Sequence, residues 1–128
     1  MLLLMVVSPG NDSLSDLALA LVKYDDVRLL WAESAKKALD IASVKAIDLI
    51  ITDERLRDST GLELAARLLR VNPMINCASV SRLSPESFHE ASEGLGIMAQ
   101  LPTHPGKEHA ESLLHRLRQI KNLTSGGN

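Results

Sequence analysis

Apolar residues gather in five short runs along the chain, and between the runs they recur with a helical period. The first run, Leu2 to Val7, is continuous and stops at the turn cluster Ser8-Pro9-Gly10-Asn11-Asp12-Ser13. A short apolar run bounded by turn residues predicts a strand buried on both faces. The later residues of the turn are of the types that cap helices, and Leu14, Leu17, Ala18 and Leu21 then mark a first helix to about Lys23. Tyr24-Asp25-Asp26 breaks it, and Val27 to Trp31 is a second strand. Ser34 caps a second helix with Ala35, Ala38, Leu39 and Ala42 on one face.

Ala46 to Asp53 is the third strand, carried by the run Leu49-Ile50-Ile51 and ending in a carboxylate. Gly61 precedes a third helix with Leu62, Ala65, Ala66 and Leu69 turned inward, closed by Asn72-Pro73. A fourth strand, Ile75 to Val80, is interrupted by Asn76. Ser84-Pro85 starts a fourth helix, a cap residue followed by proline at the first helical position. Only Phe88 and Ala91 are apolar there before Gly94-Leu95-Gly96 stops it. Ile97 to Leu101 is a fifth strand, and Pro105-Gly106 opens a last helix with Ala110, Leu113, Leu114, Leu117 and Ile120 on one stripe. Strict alternation with short connections implies parallel strands, right-handed crossovers and helices on both faces. The predicted fold is therefore α/β, a (βα)5 doubly wound, flavodoxin-like three-layer sandwich with a five-stranded parallel sheet.

Composition narrows the picture only a little. A chain of 128 residues is one domain, read as a folded unit over residues 1–121 with a flexible tail or the start of a linker at 122–128. Aromatics make up 2% of it, so Leu, Ile, Val and Ala must fill the core. A net charge of −2 gives no reason to expect nucleic-acid or membrane binding. The single cysteine, Cys77, excludes an internal disulfide and suits a reducing compartment. Met1 to Val7 lacks a basic leader and is too short for a signal sequence or a membrane span. A cytoplasmic domain is the expectation.

In this topology the C-terminal ends of strands one, three, four and five converge on one crevice, which places Ser8-Pro9, Asp53, Ser81 and Thr103 together. Three segments there resemble the receiver domain of bacterial response regulators, the CheY-like superfamily. Asp48-Leu49-Ile50-Ile51-Thr52-Asp53 looks like the family's DLxxxD, followed after eight residues by Gly61-Leu62-Glu63-Leu64. Gly96 to His104 aligns without gaps to the segment Gly-Ala-x-Asp-Tyr-Leu-x-Lys-Pro, and Asn72 to Ser81 to the segment ending in Thr or Ser. The resemblance implies that Asp53 is equivalent to the residue phosphorylated by a histidine kinase and Ser81 to the switch hydroxyl.

Phosphorylating a carboxylate requires the charge to be neutralised by Mg²⁺ and a fixed cation. In receivers an acidic pair after strand one holds the metal, a Lys after strand five holds the phosphoryl oxygens, and a strand-five aromatic changes rotamer. Here the acidic pair is replaced by Ser8 and Pro9, the Lys by Thr103, the following Pro by His104 and the aromatic by Gln100. No metal or other cofactor is expected, because one carboxylate is a poor Mg²⁺ site. A rescued site would have to recruit Asp12, Glu54 or Asp58 beside Asp53.

Other patterns carry less. Gly94-Leu95-Gly96-Ile97-Met98-Ala99 fits GxGxxA but leads into a strand instead of a helix, so it reads as a helix stop. His89, His104, His109 and His115 lack metal-ligand spacing, and Cys77 reads as a small buried hydrophobe. A haloacid-dehalogenase-type phosphohydrolase would need a second Asp where Arg55 stands.

The resulting expectation is a non-enzymatic, degenerate receiver, a pseudo-receiver, serving two-component signalling as a phosphorylation-independent interaction or dimerisation module. The alternatives are an atypical receiver still phosphorylated on Asp53 and, more weakly, a small phosphohydrolase with Asp53 as nucleophile. Expected partners are proteins: a histidine kinase, an output domain or another receiver. A homodimer through helix 4, strand 5 and helix 5 would draw on Glu111, Arg116, Arg118 and Lys121.

Overall fold

In the computed structural model, which describes residues 1–10 and 12–124, every apolar run becomes a strand of one sheet. The strands are β1 (Leu2–Val7), β2 (Val27–Ala32), β3 (Leu49–Thr52), β4 (Asn76–Val80) and β5 (Ile97–Leu101). They lie in the order β2-β1-β3-β4-β5, all neighbours parallel. Helices α1 (Ser15–Leu21), α2 (Ala35–Ala42), α3 (Gly61–Val71), α4 (Pro85–Ser92) and α5 (Lys107–Thr124) alternate with them. This is the expected five-stranded doubly wound sandwich. Of the expected tail 122–128, residues 122–124 belong to α5 and residues 125–128 lie outside the described residues.

Strand parity sorts the core into two layers. Leu4, Val6, Leu49 and Ile51 face α1 and α5, where they meet Leu17, Leu21, Leu113 and Leu117. Met5, Val7 and Ile50 face α2 and α3, against Ala38, Ala42, Leu64 and Leu68. Small alanines on α2 let that helix approach closely without an aromatic filler. Cys77 lies in the second layer at 3% exposure, and burial pushes its thiol up to about 12.

Three details differ from the sequence reading. The inward face of α3 is Leu64, Ala65 and Leu68, with Leu62 and Leu69 half-buried and Ala66 exposed. The cause lies at the helix start, where Gly61 is itself buried against β3 and fixes the rotation of all that follows. The N-cap position of α1 is Leu14, whose side chain makes no capping hydrogen bond. On α4 only Phe88 is buried, and Ala91 is exposed.

Helix α5 is tied to the loops that enter β2 and β3 by charge as well as by apolar packing. Arg118 donates to both carboxylate oxygens of Asp26 at 2.8 and 3.0 Å, with its guanidinium 5.6 Å from the centre of the Tyr24 ring. Lys121 reaches Asp48 at 2.6 Å, and the other oxygen of Asp48 accepts the Leu3 N–H. Of the four charges proposed for a partner, Arg118 and Lys121 are therefore engaged within the chain. No helix among the described residues is long and apolar enough to cross a membrane.

Candidate functional site

The chain passes from β1 to β2 on one side and to β3 on the other, so the order reverses between β1 and β3. A crevice opens outside the strand ends at such a point. Ser8 follows β1 and Asp53 follows β3, held side by side because the Asp53 N–H donates to the Val7 carbonyl at 2.9 Å. Asp53 is 8% exposed and lines a cavity of about 1060 Å³. Pro9, Asp12, Glu54, Ser81 and Thr103 line the same cavity, so the structure brings these expected positions together.

The Asp53 carboxylate is satisfied by neutral donors. Its Oδ2 accepts from Ser8 Oγ at 3.3 Å and from Ser13 Oγ at 2.5 Å, and its Oδ1 accepts the Glu54 N–H at 3.1 Å. Ser13, taken from sequence as a member of the turn, thus turns back to the strand end. Its signal was faint, a hydroxyl five residues beyond Ser8 in a loop short enough to fold over it.

Two of the nearby acids, Glu54 and Asp58, accept backbone N–H groups elsewhere. Glu54 accepts the Arg82 N–H at 3.0 Å. Asp58 accepts the N–H groups of Ala35 and Lys36 at 2.8 and 3.0 Å, at the start of α2, and these bonds hold its carboxyl below the usual carboxylate value. Arg57 donates to the Pro9 carbonyl at 3.2 Å and stands 3.7 Å from Glu33. Asp12 is exposed. Among the described residues no three His, Cys, Asp or Glu side chains are placed to share a metal ion. A divalent cation such as Mg²⁺ prefers several oxygen ligands, charged ones among them. One carboxylate flanked by two serine hydroxyls does not fit that demand.

The other expected positions make contacts of their own. Ser81 is 7% exposed, and its Oγ accepts the Leu83 N–H at 3.1 Å. Gln100 does not enter the cavity; its side chain crosses to the loop after β4. Thr103 and His104 are exposed and line the cavity, with His104 at φ 51°. Arg82, which no sequence pattern singled out, joins them in the lining.

No family model matches the sequence, and no curated protein matches it. Solved structures do match the fold. A CheY-like response regulator receiver domain from Methanospirillum hungatei superposes with a TM-score of 0.81 at 16% identity, over 95% of this chain and 98% of that one. The fold is a receiver fold. The response regulator domain of CheB from Thermotoga maritima gives a TM-score of 0.78 at 18% identity, covering 95% of this chain and 97% of that one. The signal receiver domain of an HD domain-containing protein from Pseudomonas fluorescens gives 0.83 at 18% identity, covering 97% and 91%. The receiver fold accounts for the strand order, the position of Asp53 at its switch point and the crevice above it.

Proposed function

We propose that this chain is a pseudo-receiver, a module of bacterial two-component signalling that works by binding proteins and not by carrying a phosphoryl group. The observation that carries this reading is the pairing of Asp53 with the hydroxyls of Ser8 and Ser13. Two serines leave the carboxylate without the charged ligands that would bind Mg²⁺, and Thr103 supplies no cation opposite it. Removing one well-placed electrostatic group costs roughly 10²–10³ in rate, and here several are replaced at once. Asp53 then serves as an acceptor that ties the β1–α1 turn to the end of β3.

The partner surface in this reading is the face of α4, β5 and α5. There α4 exposes Glu86 and Glu90, Glu93 is exposed just beyond its end, and α5 exposes Glu111, His115 and Arg116. Glu86 and Glu90, four residues apart, lie along one side of the helix. Charges of both signs on adjacent helices suit a protein partner, a second receiver or a second copy of the chain. The domain is read as non-enzymatic and cytoplasmic.

Phosphoryl mimicry tests the proposal. With beryllofluoride and Mg²⁺ added in excess, the amide resonances of Asp53, Ser81 and Thr103 are expected to stay in place. Saturable shifts abolished by Asp53→Asn would overturn the proposal in favour of an atypical phosphorylated receiver. Steady turnover of a phosphomonoester, lost in the same variant, would favour a phosphohydrolase.

A further inference from the structure

The loop that leaves β4 is held from three sides. Gln100 on β5 donates from Nε2 to the carbonyls of Ser81 and Leu83, at 3.3 and 2.8 Å. Glu54, in the loop after β3, accepts the Arg82 N–H at 3.0 Å. Ser81 Oγ accepts the Leu83 N–H at 3.1 Å, and the Ser81 N–H donates to Leu101 at 3.0 Å. Beyond this loop α4 has only Phe88 buried, and its first turn is exposed. A helix with one buried side chain is weakly attached by apolar packing alone. What fixes its root therefore matters more than usual.

We propose that Glu54, Ser81 and Gln100 form a latch that sets the β4–α4 loop in one arrangement and thereby places α4 on the sheet. The side-chain chemistry is specific. Two carbonyls need two N–H donors, and the primary amide of glutamine carries two on one nitrogen. A carboxylate in its place would offer only acceptors to two acceptors. Glu54 faces an N–H and needs only to accept, which a carboxylate or an amide oxygen does equally well. In signalling terms the latch deepens the phosphorylation-independent reading and rests on it for its role: α4 is held without input from Asp53, and a partner that shifts α4 must first displace these bonds. Its existence does not depend on that reading.

Amide hydrogen exchange on the whole chain tests the latch. Gln100→Glu preserves shape and removes the donors. It is expected to speed exchange of the Arg82, Leu83 and Phe88 amides at least about fivefold, the scale of one lost hydrogen bond in local opening. Amides of β1 and β3 are expected to keep their protection. Glu54→Gln retains an acceptor and is expected to exchange like wild type, whereas Glu54→Leu speeds the Arg82 amide. Unchanged exchange at these three amides in both Gln100→Glu and Glu54→Leu overturns the latch. Should Gln100→Glu lose protection in β1 and β3 as well, the chain has unfolded globally and Glu54→Leu alone decides. A beryllofluoride response of the wild type overturns the pseudo-receiver reading and leaves the latch standing, so the two failures are distinguishable.

Discussion

Gly61 stands where the start of α3 presses against the ends of β3 and β4. A Cβ built there would lie 2.6 Å from the Asp53 carbonyl oxygen, 2.8 Å from Ser79 Oγ and 2.9 Å from Thr52 Cγ2. The first of these atoms is backbone and cannot swing away. Alanine is a better helix former than glycine by about 1 kcal/mol, but overpacking a buried contact costs about 1–3 kcal/mol. The clash wins. Gly61→Ala is expected to lower stability in urea denaturation and to disturb the Asp53 end of β3. The same residue explains a limit of the sequence reading. The eight-residue step from Asp53 to Gly61 was visible, but the close approach that fixes the rotation of α3 was not. Ser13 was hidden for a related reason, because a turn hydroxyl has no periodicity to betray its partner.

At the scale of one element, α2 shows how a surface charge acts across the fold. Ser34 accepts the Lys37 N–H at 3.1 Å and Asp58 accepts those of Ala35 and Lys36, so the first three helical N–H groups are all paired. These are groups a helix leaves unsatisfied by itself. The bonds lower the folded-state value of Asp58 below the ordinary 3.8. The unfolded chain then takes up the proton more readily, so the contribution is fully present above the ordinary value. It is lost as pH falls through the lower native one. Between about pH 6 and about pH 3, wild-type urea stability is expected to fall more steeply than that of Asp58→Ala. Of this helix's two caps only Ser34 was legible. Local caps announce themselves in sequence, whereas Asp58 arrives from a loop after the next strand.

Across the whole molecule, legibility follows the range of the interaction. All five strands and five helices were readable because burial on two faces forces apolar runs and helical stripes. The site positions were readable because strand ends are set by those runs. The partners of Asp53, Glu54 and Gln100 were not, since each is chosen by side-chain geometry across strands. Cys77 turns this architecture into a chemical clock. Its thiol lies in an interior strand behind α3, and burial raises it to about 12, so near pH 8 it is neutral as well as enclosed. Iodoacetamide labelling is expected to be slowed by a factor on the order of 10³ or more in the native chain, the scale of a marginally stable fold, and to reach the free-thiol rate in urea. One sulfur atom thus records how often the entire sheet comes apart, without any added label or optical probe.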